Sequence, residues 1–292
     1  MFNDTENKLL GSANVKKEFE TISKIILKNS QVYRGNGNLA IMYDDDEFSL
    51  LALQDEIDSP LDHLDPIEES SSSLQNPEPM LLLLTAPNAP QRMLAARAFC
   101  ELQEERAIPH LINLLTDTCP LVRVSATYAL GRNPSSDAVE PLINLLSKDW
   151  NGYVRKGVVW ALGNCSDRRA LQPLIHALKT DISAVRLWAA SSLSQIAKID
   201  YEDVITAIPR LIGSLRRDEV AAVRSNCAWA VGQLCRELPL NVVYATAIDA
   251  LIEALVEDED LGVKEDAKGA LLKVGDPRGL QMIEELELEG II

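Results

Sequence analysis

Five cysteines and three histidines are the side chains of this 292-residue chain best suited to bond-making or metal chemistry. Thiols such as Cys100, Cys165 and Cys235 hold iron–sulphur clusters when enough ligands converge, and histidines hold zinc or iron at characteristic spacings. Neither pattern is spelled out. The cysteines form no C-x-x-C pair, and none of His63, His110 and His176 is followed by Glu. No P-loop, G-x-S-x-G or G-x-G-x-x-G run occurs. No catalytic and no metal-ligating residue is therefore expected. The other conspicuous side chains are aromatic (Tyr128, Trp160, Trp188 and Trp229), and rings of this kind serve binding surfaces or cores rather than bond making.

The elements that carry these rings are written several times. "VRVSATYALG" at Val122, "VRKGVVWALG" at Val154, "VRLWAASSLS" at Val185 and "VRSNCAWAVG" at Val223 are copies of one another, with fainter copies "QRMLAARAFC" at Gln91 and "VKEDAKGALL" at Val263. The basic residues Arg92, Arg123, Arg155, Arg186, Arg224 and Lys264 are spaced by 31, 32, 31, 38 and 40 residues, inside the range of stacked repeat architectures. A second run precedes most copies: "AIPHLINLL", "AVEPLINLL", "ALQPLIHAL", "AIPRLIGSL" and "AIDALIEAL". Each unit reads as two antiparallel helices, A then B. Val139, Leu142, Ile143 and Leu146 give one A helix an apolar stripe. Asp137 and Glu140 resemble a capping box at its start, which places Pro141 in the first turn. Counting from the basic residue of helix B, positions −1, +3, +6 and +7 are small or aliphatic and share one face. An acid precedes the basic residue in five units (Asp117, Asp149, Asp181, Asp218, Asp258). The expected role is an Asp–Arg ladder of exposed pairs, each worth about 0–1 kcal/mol, so the arginines are not read as substrate ligands.

The formal charge of −16 is unevenly spread. Residues 42–78 hold twelve Asp or Glu and no Lys or Arg. Such a chain is repelled by phosphate backbones and anionic bilayers, so neither nucleic acid nor a membrane is an expected partner. The longest aliphatic run, Leu81–Leu84, is far short of the roughly 20 residues of a membrane span. The N-terminus lacks the order of a signal peptide, and scattered cysteines point to reduced thiols in the cytoplasm. Four zones are expected. Residues 1–41 form an N-terminal extension with one candidate amphipathic helix (Val15, Phe19, Ile22, Ile26), and Met42 is an alternative start. Residues 42–78 form an acidic Ser/Pro-rich linker or tail, largely disordered. Within it, "EFSLLALQDEI" is a candidate short helix on a partner. Residues 79–275 hold the repeats, and 276–292 a capping helix and tail. The fold class is all-α, a right-handed solenoid of about six helix pairs.

The A-x-x-P-L-I…D…V-R-x-x-A-x-x-A-L-G pattern resembles HEAT repeats of the phycobilisome-lyase-like family. It is similar to cyanobacterial proteins of the phycocyanin alpha-subunit bilin lyase type. The resemblance implies handling of a linear tetrapyrrole, as a transient bilin ligand, or of a phycobiliprotein, usually with a second HEAT-repeat chain. HEAT-like deoxyhypusine hydroxylases hold di-iron on His-Glu pairs, and this sequence departs from that pattern.

Position +5 of helix B points away from the core stripe and carries Arg97, Tyr128, Trp160, Ser191, Trp229 and Gly269. Trp188 and Asn226 at +2, and Arg132, Asn164, Gln195 and Gln233 at +9, lie on the same side. With helix B on the concave side of the solenoid, aromatic rings, amides and an arginine form the expected partner-binding face. The alternative is that the rings fill space between neighbouring B helices. Two functions follow. One is a non-catalytic protein-binding scaffold or assembly factor, linked through the resemblance to biogenesis of the phycobilisome or photosynthetic apparatus. The other is a bilin lyase or chaperone subunit, with the rings holding the tetrapyrrole and Arg132 a propionate. An iron–sulphur role ranks below both. Cys100, Cys165 and Cys235 sit in the first, third and fifth repeats, and helices packing about 8–10 Å apart keep them from one cluster.

Overall fold

The computed structural model describes residues 76–290. The expectations for residues 1–41, and for 42–78 up to residue 75, lie outside the described residues. Among the described residues there are thirteen α-helices and no strand. They pair in chain order: α1 (Glu78–Leu83) with α2 (Ala89–Ala98), α3 (Ile108–Leu114) with α4 (Pro120–Arg132), and α5 (Ser136–Lys148) with α6 (Gly152–Cys165). Then come α7 (Leu171–Thr180) with α8 (Ser183–Ile196), α9 (Tyr201–Arg217) with α10 (Ala221–Cys235), and α11 (Val242–Glu257) with α12 (Leu261–Val274). The odd helices are the A layer and the even ones the B layer, and α13 (Pro277–Leu288) packs against α12 and α11 at the end. The described residues form an α-solenoid.

Each B helix packs on the next, whereas successive A helices touch sparingly. The B layer is therefore the closed inner side and the A layer the splayed outer side. Close approach depends on glycine. A Cβ on Gly163 would lie 2.7 Å from Ser192 Oγ of the next B helix, and one on Gly232 would lie 2.6 Å from the Ala270 Cβ. Positions −1, +3, +6 and +7 of α4 and α6 are fully buried, as the stripe requires: Val122, Ala126, Ala129, Leu130, and Val154, Val158, Ala161, Leu162.

The repeated prolines of the A helices do not all sit where the sequence suggests. In α3 and α7 a 3₁₀ turn precedes the helix (Glu105–Ala107 and Arg168–Ala170), so Pro109 and Pro173 fall in the first turn. In α5 the helix starts earlier, and its cap is Ser135, whose hydroxyl accepts the Asp137 N–H at 3.2 Å. Asp137 is thus inside the helix rather than its cap, and Pro141 is an interior proline, as is Pro209 in α9. The cost is one absent helical hydrogen bond at each.

The ladder forms across repeats. Each arginine pairs with the aspartate of the following unit: Arg92–Asp117 (2.6 Å), Arg123–Asp149 (2.6 Å), Arg155–Asp181 (2.7 Å), Arg186–Asp218 (2.8 Å) and Arg224–Asp258 (2.8 Å). From Arg123 to Arg224 the same guanidinium also donates to the main-chain carbonyl of its own unit's aspartate, at 2.9–3.0 Å. Asp117, Asp149, Asp181 and Asp218 are thus each gripped by two successive arginines, Asp258 by Arg224 alone, and all five accept a backbone N–H of their own turn. The rungs are not exposed pairs. The Arg123 and Asp149 side chains are only 9% and 2% exposed. Bidentate, desolvated pairs of this kind leave a costly orphan charge when one partner is removed. The ladder ends at Lys264, whose ammonium donates to the Val256 carbonyl at 2.9 Å.

Candidate concave binding face

The expected rings lie on the B helices, and three of them, Tyr128, Trp160 and Trp188, have defined neighbours. Tyr128 on α4 and Trp160 on α6 lie with ring centroids 5.3 Å apart and planes at 36°. Trp160 reaches back over the preceding helix. A Cβ on Gly131 would stand 2.2 Å from its Cζ3, so the indole occupies the space that glycine leaves. The Arg132 guanidinium carbon is 6.0 Å from the Trp160 ring centroid, and the Lys156 ammonium is 5.5 Å from the Trp188 ring. Contacts of this length sit at the weaker end of cation–π attraction. Trp160, Trp188 and Trp229 pack one side on the core and remain half-buried. Trp160 and Trp188 reach the preceding B helix, and all three still offer surface.

Two of the amides have structural bonds. Asn164 donates to the Gly131 carbonyl at 3.2 Å, satisfying an acceptor in the last turn of α4. Asn226 donates to the Leu187 carbonyl at 2.8 Å and accepts the Ser191 hydroxyl at 3.2 Å. Gln195 is exposed and Gln233 half-buried. Sequence reasoning passed over Asn133, one residue beyond Arg132. Its amide donates to the Phe99 and Ala129 carbonyls at 2.6 and 2.9 Å, and its oxygen accepts the Glu104 N–H at 3.2 Å. The signal was its place just past the end of a B helix, where carbonyls lack partners. Lys156 was also passed over, because its contact with Trp188 crosses between repeats.

Four of the five thiols are quiet. Burial pushes Cys100 up to about 11 and Cys235 up to about 12, and burial also raises Cys165 and Cys227. All four stay protonated and unreactive near neutral pH. Burial lowers the pKa of Arg97, beside Cys100, without discharging it. Among the described residues no three His, Cys, Asp or Glu side chains converge on a point that could hold a metal. The face can bury apolar or planar surface, donate from Arg132 and accept hydrogen bonds.

The model of HEAT repeats matches residues 77–156 and 139–232, more than half of the chain. No curated protein matches it. Among solved structures, the complex of CpcE and CpcF of phycocyanin lyase from Nostoc sp. PCC7120 is similar at a TM-score of 0.51 and 23% identity, over 76% of this chain and 84% of that one. A designed armadillo repeat protein in complex with the peptide (KR)4 is similar at 0.52 and 21%, over 68% and 98%. An engineered protein is similar at 0.51 and 24%, over 68% and 98%. These likenesses speak for the fold. No described helix is long and apolar enough to cross a membrane.

Proposed function

The chain belongs to the HEAT-repeat family, and on that premise we propose that it is a non-catalytic scaffold or assembly factor that holds a partner protein on its B layer. The observation that carries this reading is the half-exposed row of Tyr128, Trp160, Trp188 and Trp229, with Arg132 beside it. Half-buried rings held by their neighbours lose little freedom on binding, which is what makes aromatic anchors effective. Gln195 and Gln233, together with Asn164 and Asn226, form a polar margin. The partner in this reading is a phycobiliprotein subunit or a second HEAT-repeat chain, met in the cytoplasm of a cyanobacterium during phycobilisome assembly. The similarity to the CpcE–CpcF complex supports that choice, and a designed repeat protein similar in fold is bound to the peptide (KR)4.

A second reading rests on the tilted Tyr128–Trp160 pair with Arg132 over the indole. In a bilin lyase or chaperone subunit these would hold the rings and a propionate of a linear tetrapyrrole, so that positioning does most of the work. One experiment separates the two. Purified chain is mixed with apo-phycocyanin α-subunit, with and without a second HEAT-repeat chain, and run by size exclusion with absorption recorded. The mixture is then repeated with phycocyanobilin. The scaffold reading expects a complex that the Trp160→Ala, Trp229→Ala double variant fails to form, with no spectral change on adding bilin. A bilin shift lost in the variant moves the conclusion to the lyase reading. An unaltered complex in the variant refutes the role of this face.

A further inference from the structure

The outer layer carries a second feature that the concave face does not use. Between α7 and α9 the A helices splay around a cleft of about 810 Å³. Gln172, Ile175, His176 and Lys179 line one wall, and Arg210, Gly213, Ser214 and Arg217 the other. Each set follows helical spacing, so two helix faces look at each other across the gap. Arg186 is at the floor, where it pairs with Asp218 (2.8 Å) and Glu219 (3.5 Å), the two acids of the lining. Asp218 is thereby occupied, while Glu219 stays largely exposed. Lys179, Arg210 and Arg217 have no ion-pair partner among the described residues and stand exposed. The neighbouring A helices have the opposite character: α5 carries Asp137 and Glu140, and α11 carries Asp249, Glu253 and Glu257. A cationic cleft on a chain of net charge −16 is a local reversal.

Gly213 is a separate observation. It lies inside a 17-residue helix, where glycine is unfavourable relative to alanine. Steric need does not explain it, since a Cβ there would meet nothing within 4 Å. It leaves a bare backbone strip between Arg210 and Arg217, facing the cleft. Bare strips of this kind let a ligand's backbone approach closely.

We propose that this cleft docks an extended acidic peptide segment of a partner protein, its carboxylates on Lys179, Arg210 and Arg217. Arg210 and Arg217 are seven residues apart on a helix, roughly 10 Å along the axis. That span matches acids three residues apart on an extended polyproline II chain, which returns to the same face every three residues at about 3.1 Å per residue. Ile175, Leu178 and Pro209 supply apolar wall for the side chains between the acids. A nucleic acid fits less well. The lining holds no Trp, Tyr or Phe on which bases stack, and the rest of the chain repels a long polyanion.

The test uses full-length protein and fluorescence anisotropy. The probes are labelled Glu-Ser-Leu-Glu-Ser-Leu-Glu, its Gln-for-Glu counterpart and a short labelled oligothymidylate. The cleft variant is Lys179→Ser, Arg210→Ser, Arg217→Ser. A charge-matched control, Lys198→Ser, Arg236→Ser, Lys273→Ser, removes three exposed cations elsewhere. The acidic peptide should bind the wild type and the control alike, and the cleft variant about tenfold or more weakly. The Gln peptide should not bind, and salt at about 1 M should release the acidic one. Gly213→Leu fills the strip without altering charge and improves helix propensity, so it folds and should also weaken binding. No binding, equal binding of the Glu and Gln peptides, or a cleft variant that matches the control overturns the proposal. Tighter binding of oligothymidylate through the same three cations overturns it in favour of a nucleic-acid site.

Discussion

Two rows of side chains run along the same B helices and differ in kind. The row of arginines recurs in five units with the same partner, the same bond to its own turn's carbonyl and distances within 0.2 Å of one another. The row at +5 holds Arg97, Tyr128, Trp160, Ser191, Trp229 and Gly269, no two successive positions alike. A stacking interface must be the same each time, because each unit meets its neighbour in the same way. A surface that meets a foreign partner has no such constraint. Regularity therefore marks what holds the solenoid together, and the irregular row on the same scaffold is where the proposed recognition face lies.

Acid should separate the rows most strongly. Burial alone would raise Asp117, but the Arg92 guanidinium, the Cys119 N–H and the Arg123 charge hold it below the usual carboxylate range. Asp258 is likewise raised by burial and more than offset by Arg224 and the Asp260 N–H. A carboxylate depressed in the folded state stabilises the fold fully above its unfolded value, about 3.9. That stability is lost as pH falls through the lower folded value. Helical circular dichroism should therefore hold down to about pH 4 and collapse below it, and Asp117→Asn should flatten the acid limb. An acid limb unchanged by Asp117→Asn would mean that this rung contributes no pH-linked stability.

Breaking one rung at neutral pH comes next. Arg123→Ala leaves the buried Asp149 carboxylate with only the Asn151 N–H at 2.9 Å, which should cost about 3–5 kcal/mol in urea unfolding. Arg92→Ala, at the more exposed end of the ladder (17% for the arginine), should cost less. Equal losses would show that position along the ladder is irrelevant.

Gly131→Ala connects the two rows, because the new methyl collides with Trp160. Overpacking of this kind costs about 1–3 kcal/mol. If the indole is the cause, the loss should be smaller in a Trp160→Ala background, a coupling that a double-mutant cycle reads directly. Additive losses would place the strain elsewhere.

Much of this was legible in the sequence. The period, the core stripe and the helix pairs follow from residues that repeat, and buried, repeated contacts leave repeated letters. The residues Tyr128, Trp160 and Arg132 were also readable as one face. Their mutual geometry was not, because it depends on Gly131 being empty, a fact about the neighbouring helix. The ladder was legible as a pattern but not in its partner or burial. Spacing gives the acid nearest in sequence, whereas the fold pairs each arginine with the acid one unit on. The α5 start was misread for a local reason. Ser135, Asp137 and Glu140 all favour helix N-termini, and the backbone chose the first.

Arg132→Ala should have the smallest effect on the fold, and it sharpens the comparison most. Its guanidinium is exposed and stands 6.0 Å from the indole centroid, so its loss should change stability by about 0.5–1 kcal/mol at most. A rung arginine of the same residue type, on the same helix nine positions earlier, should cost several times that. If Arg132 belongs to recognition, its removal should weaken capture of the partner by more than it weakens the fold, because a partner desolvates the cation and strengthens what it touches. Tryptophan emission offers an independent reading, since the cation near Trp160 is removed while its packing over Gly131 stays. A variant that loses stability and binding in equal measure would return Arg132 to the ladder's side of the comparison, as one more residue that stacking requires.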